Sequence, residues 1–509
     1  MIEKTDDIGG FDRFKLACAA LGLIGYAIGL WHVHRIWPTS DQAIFDYVAF
    51  IGANGGMYYR DAFDISWPIP FLYHAAGQAI FGVHPWTFRV FDMAVLMPIG
   101  LTAMAWLLKR CGFARAPWIV LATYPILYAT SGAWISGHRD ITAMHLLILA
   151  AALMIDRPSP SRRGLAGFVL MIATFIRPTY LFAALPLWLI DLRAAPASFR
   201  LRMTAGLIAG GIAVAFAFLM AGLQLGTIGD WYEQAVLFPA TRYQVDQGRM
   251  RLIGDFITIV ASHWRWPFVV AVGGAALWGM DKARRSRFGL TLAALILTVI
   301  VSFFVQNKGF PYHLSGFVPL MLLSTAAGID AGWSRLREAR GALRAALTMM
   351  MLIAGGGLAM GSGARAVGPL LAWNPPISQV EIDRRTIAGI IRSESRPDEP
   401  ILQWGRRYDV AVLSERLSAS RYINSQLIAR LSADDRLFAP WIGTFRHELA
   451  ARAPVFMIID RDQMPGRPDR LPLPVSVRPT PAVATFVALA NRNYTVRALT
   501  PEILLLKHR

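Results

Sequence analysis

Residues 37–82 read WPTSDQAIFDYVAFIGANGGMYYRDAFDISWPIPFLYHAAGQAIFG. The stretch is polar and aromatic and carries Asp41, Asp46, Arg60, Asp61 and Asp64. It lies between two strongly apolar runs, 14–36 and 88–108. A chain of spanning helices has little structural need for a long, acid-bearing connection after its first span. Carboxylates held at a membrane surface are costly and tend to mark function. The stretch therefore reads as a working outer loop on an α-helical polytopic membrane protein.

Composition agrees. Of 509 residues, 55% are hydrophobic and 17% charged, where soluble domains carry about 25% charged residues. Mean hydropathy is +0.42. A net charge of +18 raises nucleic acid as a partner. The positive residues, however, fall in short clusters between apolar runs, the pattern of cytoplasmic membrane loops, so no nucleic acid is expected. The two cysteines, Cys18 and Cys111, make no disulfide framework. Lys4, Arg13 and Lys15 precede the apolar stretch 16–31, and no small-residue cleavage site follows it, as in an uncleaved signal anchor.

A spanning helix needs about 20 apolar residues. Runs at 14–36, 88–108, 117–135, 141–155, 203–225, 266–280, 288–305, 312–329 and 345–361 are the candidates. Basic clusters separate them: Lys109, Arg110 and Arg115; Arg157, Arg162 and Arg163; Arg193, Arg200 and Arg202; Lys282, Arg284, Arg285 and Arg287; Arg335, Arg337, Arg340 and Arg344. These belong in the cytoplasm. Loops 37–87, 136–140, 226–265 and 306–311 then face outward.

A further run, 164–191, is interrupted by Arg177-Pro178. Read as one span, it puts the Arg162 and Arg193 clusters on opposite sides. Read as two short helices turning at Arg177-Pro178, it keeps both inside, and this reading is adopted. Arms of about 13 residues reach roughly 20 Å, short of a roughly 30 Å core. The turn then lies at membrane depth, inside protein or a wet cavity. The expectation is about eleven transmembrane helices, with the N-terminus cytoplasmic and interfacial helices at 42–53 and 68–82 of the first outer loop.

Beyond Gly363 the composition turns mixed polar. Strand-like runs at 401–404, 455–459 and 502–507 alternate with helical patterns at 380–392, 421–431 and 482–491. That is a small α/β domain, on the outer side by parity. The expected division is a transmembrane module at 1–363, with its first periplasmic loop at 37–87, and a periplasmic α/β domain at 364–509.

Asp41 follows Pro38-Thr39-Ser40, a helix-start signal. It reads either as an N-cap or as a catalytic carboxylate. Asp46, about 140° further round the helix, reads as a solvated residue. Arg60-Asp61, beside Gly55-Gly56, reads first as a local ion pair. Asp140, in Gly137-His138-Arg139-Asp140, reads as a cap. Arg177 at membrane depth needs an anionic partner. Arg242 and Arg249 stand among aromatics, as interface anchors do. Lys308-Gly309-Phe310-Pro311-Tyr312-His313 sets a cation beside a bent backbone, which suits an anion. No HExxH, CxxC, GxSxG or Gly-rich phosphate loop occurs, so metal, acyl-enzyme and nucleotide chemistry have no motif support. Acids near an outer membrane surface, with cations at the same level, suit group transfer from an anionic lipid. A carboxylate deprotonates an acceptor hydroxyl, and Arg and Lys stabilise the departing phosphate.

The layout resembles the C-type (GT-C) glycosyltransferase superfamily, of the protein mannosyltransferase and lipid A aminoarabinose transferase kind. The resemblance rests on Asp41 and on Gly56-Met57-Tyr58-Tyr59-Arg60-Asp61, Trp67-Pro68-Ile69-Pro70, Ile80-Phe81-Gly82 and Arg89. It continues in Gly137–Asp140, in Lys308–His313 before Pro319, and in Ile401–Gly405 and Ser420-Arg421-Tyr422. It implies an inverting glycosyltransferase of the bacterial inner membrane. That enzyme would move sugar from a polyprenyl-phosphate donor to a hydroxyl of a lipid, glycan or protein acceptor on the outer face. Asp41 would be the catalytic base. Arg60, Asp61, His138, Arg139, Asp140, Arg177, Arg242, Arg249, Lys308, Tyr312 and His313 would line the substrates. Many members carry Asp-Glu where this chain has Asp41-Gln42. One carboxylate is a poor metal site, so a divalent cofactor is left open and no metal ligand is assigned. Two rivals predict other layouts. An O-antigen polymerase or ligase puts its main outer loop late. A transporter pairs broken helices in its two halves, and only 164–191 is broken here.

Overall fold

The computed structural model describes residues 6–155, 158–243, 248–279, 282–336, 338–342, 344, 348–349, 356, 378–405, 407–432, 434–464, 467–474 and 479–509. Most of the expected span at 345–361, the change near Gly363, and Arg337 lie outside these residues. Contacts divide the chain into two compact units. One is Met1–Ile36, Arg89–Met220 and Gln244–Trp373; the other is Trp37–Phe88, Ala221–Tyr243 and Asn374–Arg509. The first outer loop thus gathers with the C-terminal part.

The first unit is helical. Among the described residues, the helices Phe11–Val33, Thr87–Arg110, Ala197–Gln224, Arg287–Gln306 and Pro311–Leu336 are long and apolar enough to cross a membrane. Met250–Ser262 and Pro267–Gly279, bent by 83°, add a sixth if they form one span. Ala116–Ala129, Arg139–Ile155 and Pro160–Ile176 occupy other expected runs with 14, 17 and 17 residues. Leu201, Ile212 and Phe216 on Ala197–Gln224 are exposed, as helices that are apolar all round require of lipid. Small residues draw that helix against Pro160–Ile176. A Cβ at Gly210 would lie 1.8 Å from the Gly164 carbonyl oxygen, and one at Gly167 would lie 1.9 Å from that of Leu207. Such close backbone approach is the usual packing of membrane helices.

The interrupted run breaks where the proline demands it. Pro160–Ile176 ends at Arg177, whose φ of −141° and ψ of 99° are extended, as sterics favour before proline. A short 3-10 turn, Pro178–Ala183, leads into Ala184–Ala194. Arg163 at the start of the first arm donates to both carboxylate oxygens of Asp191 near the end of the second, at 2.9 and 2.7 Å. Residues 28 apart at opposite ends of two helices meet only if the chain turns back between them. The run is a hairpin.

The second unit is built on a four-stranded sheet, β1 (Ile401–Trp404), β2 (Phe456–Asp460), β3 (Tyr494–Leu499) and β4 (Ile503–His508), in the order β1-β2-β4-β3. β1 and β2 are parallel; the other pairs are antiparallel. β3 escaped the sequence reading because it is an edge strand with mostly exposed side chains, without the apolar run that marks its neighbours. The helix Ala439–Ala451 was missed as well, and the 421–431 pattern shrinks to Ser425–Ile428.

Ser40–Ala53 is not the interfacial helix expected at 42–53. Eleven of its residues are buried, and Ile44, Tyr47 and Val48 share one apolar cluster with Ile387, Ile401, Phe456 and Leu505. A helix apolar on most faces is a core helix. Asp46 is correspondingly not solvated: it is 5% exposed and lies 2.7 Å from His74 Nδ1. The His74 ring in turn stacks on Phe88 at 3.7 Å. The helix Ile69–Phe81 keeps an apolar edge in the open at Leu72 and Ile80.

Candidate functional site

Each unit carries one group of candidate residues. In the first unit the group forms at the tip of the hairpin. Arg177, buried there, has Nε 2.7 Å from Asp140 Oδ1, and its Nη2 donates to Gln306 Oε1. Asp140 is fully buried in the first turn of Arg139–Ile155. The Asp140 amide donates to His138 Nδ1 at 3.3 Å, which leaves the neutral ring's proton on Nε2. Burial, reinforced by Arg139 and Arg177, holds the His138 pKa well below its usual value. The His138 ring packs on Tyr312 at 4.8 Å, and Tyr312 stacks on Trp134 at 5.2 Å. Arg177, Lys308, His138 and Arg139 all lie within electrostatic range of His313. The fold therefore brings together Arg177, Asp140, His138, Arg139, Lys308, Tyr312 and His313 from three separate segments.

Two features of this group correct the sequence reading. Asp140 is not a cap but the ion-pair partner of Arg177. The anionic partner that Arg177 requires is thus supplied by the chain itself. A buried guanidinium without a fixed counter-charge would be strongly unfavourable. Arg139 and Lys308 join Arg177 as cations of the same group. Around them four buried polar atoms, His138 Nε2, Tyr180 Oη, His313 Nδ1 and Ser315 Oγ, have no hydrogen-bond partner among the described residues. Buried polar groups are nearly always bonded, so this concentration points to a polar ligand.

The loop bearing His138 is held from below. Gly137, with φ of +70°, donates its N–H to the Tyr128 hydroxyl at 3.0 Å, and Tyr128 donates to Asp92 Oδ2 at 2.6 Å. Arg89 donates to the carbonyls of Ser136 and Ala133 at 3.1 and 3.0 Å. Asp92 begins a π-helical stretch, Asp92–Leu96, inside its helix, a distortion common near functional sites. The sequence reading missed Asp92 and Tyr128. A carboxylate inside an apolar run was the available signal.

In the second unit, Asp41 occupies the second position of Ser40–Ala53. The cap is Thr39, not Asp41. Thr39 Oγ1 accepts from the Gln42 amide at 3.4 Å, and Gln42 Oε1 accepts from the Thr39 amide at 3.1 Å. That reciprocal capping box gives Gln42 a structural task and leaves the Asp41 carboxylate without the capping role. Asp41 is partly exposed at the helix end whose dipole favours anions. The Trp37 indole anchors the approach, donating to Asp409 Oδ2 at 2.8 Å.

Arg60 and Asp61 do pair, at 3.0 Å. Partial burial raises the Asp61 pKa, but hydrogen bonds from Arg60 and the Met57 amide outweigh it, and the carboxyl stays below its usual value. Both residues line a cleft of about 330 Å³ with Asn54, Ser420, Arg421 and Glu448. Arg242 is taken by Asp435 at 2.6 Å, which ties residues 221–243 to the C-terminal part. The Arg249 side chain lies outside the described residues. Among the described residues no three His, Cys, Asp or Glu side chains form a group that could hold a metal ion.

No protein-family model and no curated protein matches the chain. Solved structures do. The crystal structure of ArnT from Cupriavidus metallidurans bound to undecaprenyl phosphate superimposes with a TM-score of 0.60 at 13% identity, covering 96% of this chain and 97% of that one. Its apo state gives 0.60 at 12% identity, covering 98% of each chain.

Proposed function

The chain has the C-type glycosyltransferase fold, and we propose that it moves a sugar from a polyprenyl-phosphate donor to an acceptor hydroxyl at the outer face of the bacterial inner membrane. One observation carries the reading: a buried arginine–aspartate pair at a broken membrane hairpin, with further cations close by and four buried polar atoms that have no hydrogen-bond partner among the described residues. That is the chemistry of a phosphate site.

Asp41 acts as the base. It takes the proton of the acceptor hydroxyl while that oxygen bonds to the anomeric carbon. The bond from that carbon to the phosphate oxygen breaks, and the polyprenyl phosphate leaves with the electron pair. A single displacement inverts the anomeric centre. Arg177 and Lys308, with Arg139, stabilise charge developing on the leaving phosphate. Neutral His138 offers Nε2–H to a phosphate oxygen, and Tyr312 holds its ring. Asp140 keeps the Arg177 fork aimed. Arg60 and Asp61 are assigned to the acceptor side. Arg242 and Arg249 are the weaker claimants to the phosphate, Arg242 because Asp435 occupies it.

The test is a transfer assay with the full chain in lipid vesicles and a labelled polyprenyl-phosphate sugar. Asp41→Asn should lower the rate by about 10²-fold or more while polyprenyl phosphate still binds. Near-normal transfer by Asp41→Asn would remove Asp41 from the chemistry.

A further inference from the structure

The hairpin has a second basic end. From Arg177 back to Arg163 the helix Pro160–Ile176 covers roughly 21 Å at 1.5 Å per residue. At the Arg163 end lies a cavity of about 300 Å³ lined by Arg110, Arg163, Arg287 and Asp191, with Ile155 and Met203 as apolar wall. Its floor is rigid. Arg163 is 1% exposed; it spans both oxygens of Asp191 and also donates to the carbonyls of Leu153 and Met154 at 3.1 and 2.6 Å. Both Asp191 oxygens thereby accept from Arg163. Arg287 reaches the same Met154 carbonyl at 3.3 Å and stands 3.9 Å from Asp191. Its Nε is buried without a hydrogen-bond partner among the described residues. Three guanidinium groups thus line the cavity against one carboxylate. Exposed Leu189 and Leu201 lie on the two segments that flank it.

A headgroup-sized cavity between membrane helices, cationic within and apolar at its rim, matches a phosphate attached to acyl chains. Basic pockets of this kind hold anionic headgroups. We propose that this cavity binds the phosphate of an anionic membrane lipid, in the leaflet opposite the Arg177 group. The bidentate geometry of Arg suits phosphate oxygens. The lipid bridges the ends of the helices bearing Arg110, Arg163 and Arg287, and so clamps the open end of the hairpin.

The experiment uses the full chain in phosphatidylcholine nanodiscs doped with phosphatidylglycerol, with bound lipid counted by native mass spectrometry. Arg110→Gln combined with Arg287→Gln should weaken phosphatidylglycerol retention by about 30-fold, at about fivefold for each arginine near a membrane surface. Arg340→Gln combined with Arg344→Gln changes the net charge equally and should leave retention unchanged. Equal retention by the cavity variant and the native chain, or equal loss in both double variants, overturns the proposal. Should the cavity variant fail to fold, Arg110→Gln alone, at an exposed position, should still cost about fivefold, and unchanged retention there overturns the proposal too. Inorganic phosphate separates the two sources of the same chemistry. Displacement of the lipid by millimolar phosphate would identify a free anion as the ligand and sink the lipid assignment.

Discussion

Replacing Asp140 by asparagine separates a structural ion pair from a phosphate site. The substitution keeps the shape and removes the charge. Arg177 Nε and Asp140 Oδ1 are 2.7 Å apart, with side chains 8% and 0% exposed. Stranding one partner of such a pair costs about 3–5 kcal/mol. Asp140→Asn should therefore unfold early in detergent when no lipid is present. If polyprenyl phosphate binds at Arg177, it supplies the missing negative charge. A ligand at a hundred times its Kd stabilises by about 2.7 kcal/mol. The variant should gain more than the native chain does, because only there does the phosphate relieve a stranded cation. The assay is thermal unfolding with and without polyprenyl phosphate, on the native chain, Asp140→Asn, and the charge-free Arg177→Met/Asp140→Leu pair. Removing both charges can be nearly neutral for stability, so that pair should fold well yet gain nothing from the lipid. Equal stabilisation of all three proteins would show that the phosphate does not meet Arg177, and the site would have to be sought elsewhere.

Other outcomes follow from the same geometry. Thr39→Ala should lower stability by about 1 kcal/mol through loss of the cap, whereas Asp41→Asn should cost only the smaller helix-dipole contribution, about 0.3 kcal/mol at a partly exposed site, as chemical denaturation of the two variants would register. Glu394 is held at about 2, first by its hydrogen bond from Arg497 and then by that from Lys507. Its folded pKa is depressed, so its contribution is present above the unfolded value of about 4.5 and is lost as pH falls from there toward 2. Unfolding measured over that window should show the slope in the native chain, and Arg497→Gln/Lys507→Gln should reduce it by the Glu394 contribution. A reporter fused after Arg509 should be active outside the cytoplasm; a cytoplasmic signal would overturn the topology and the side assigned to the reaction.

Some features were legible locally. Apolar runs of membrane length are read directly from sequence, and the helices fall close to them. The break at Arg177-Pro178 follows from the proline's own sterics. The capping box was equally local, since Thr39 and Gln42 have the spacing that a box requires. The burial of Ser40–Ala53 was not legible, because an apolar helix beside a membrane reads alike whether lipid or protein covers it.

The sequence by itself determined the helical membrane-protein class, the place of many of its helices, the kink before Pro178 and the presence of a cation inside an apolar run, because each depends on neighbouring residues and on the solvent preference of apolar runs. Only the tertiary structure decided that the run at 164–191 is a hairpin, through Arg163 and Asp191, and that Arg177 answers to Asp140 and Asp46 to His74. Charge partners meet across tens of residues, and burial decides which of them can do without each other. No periodicity encodes that choice; it follows from which helix ends the packing brings to one depth.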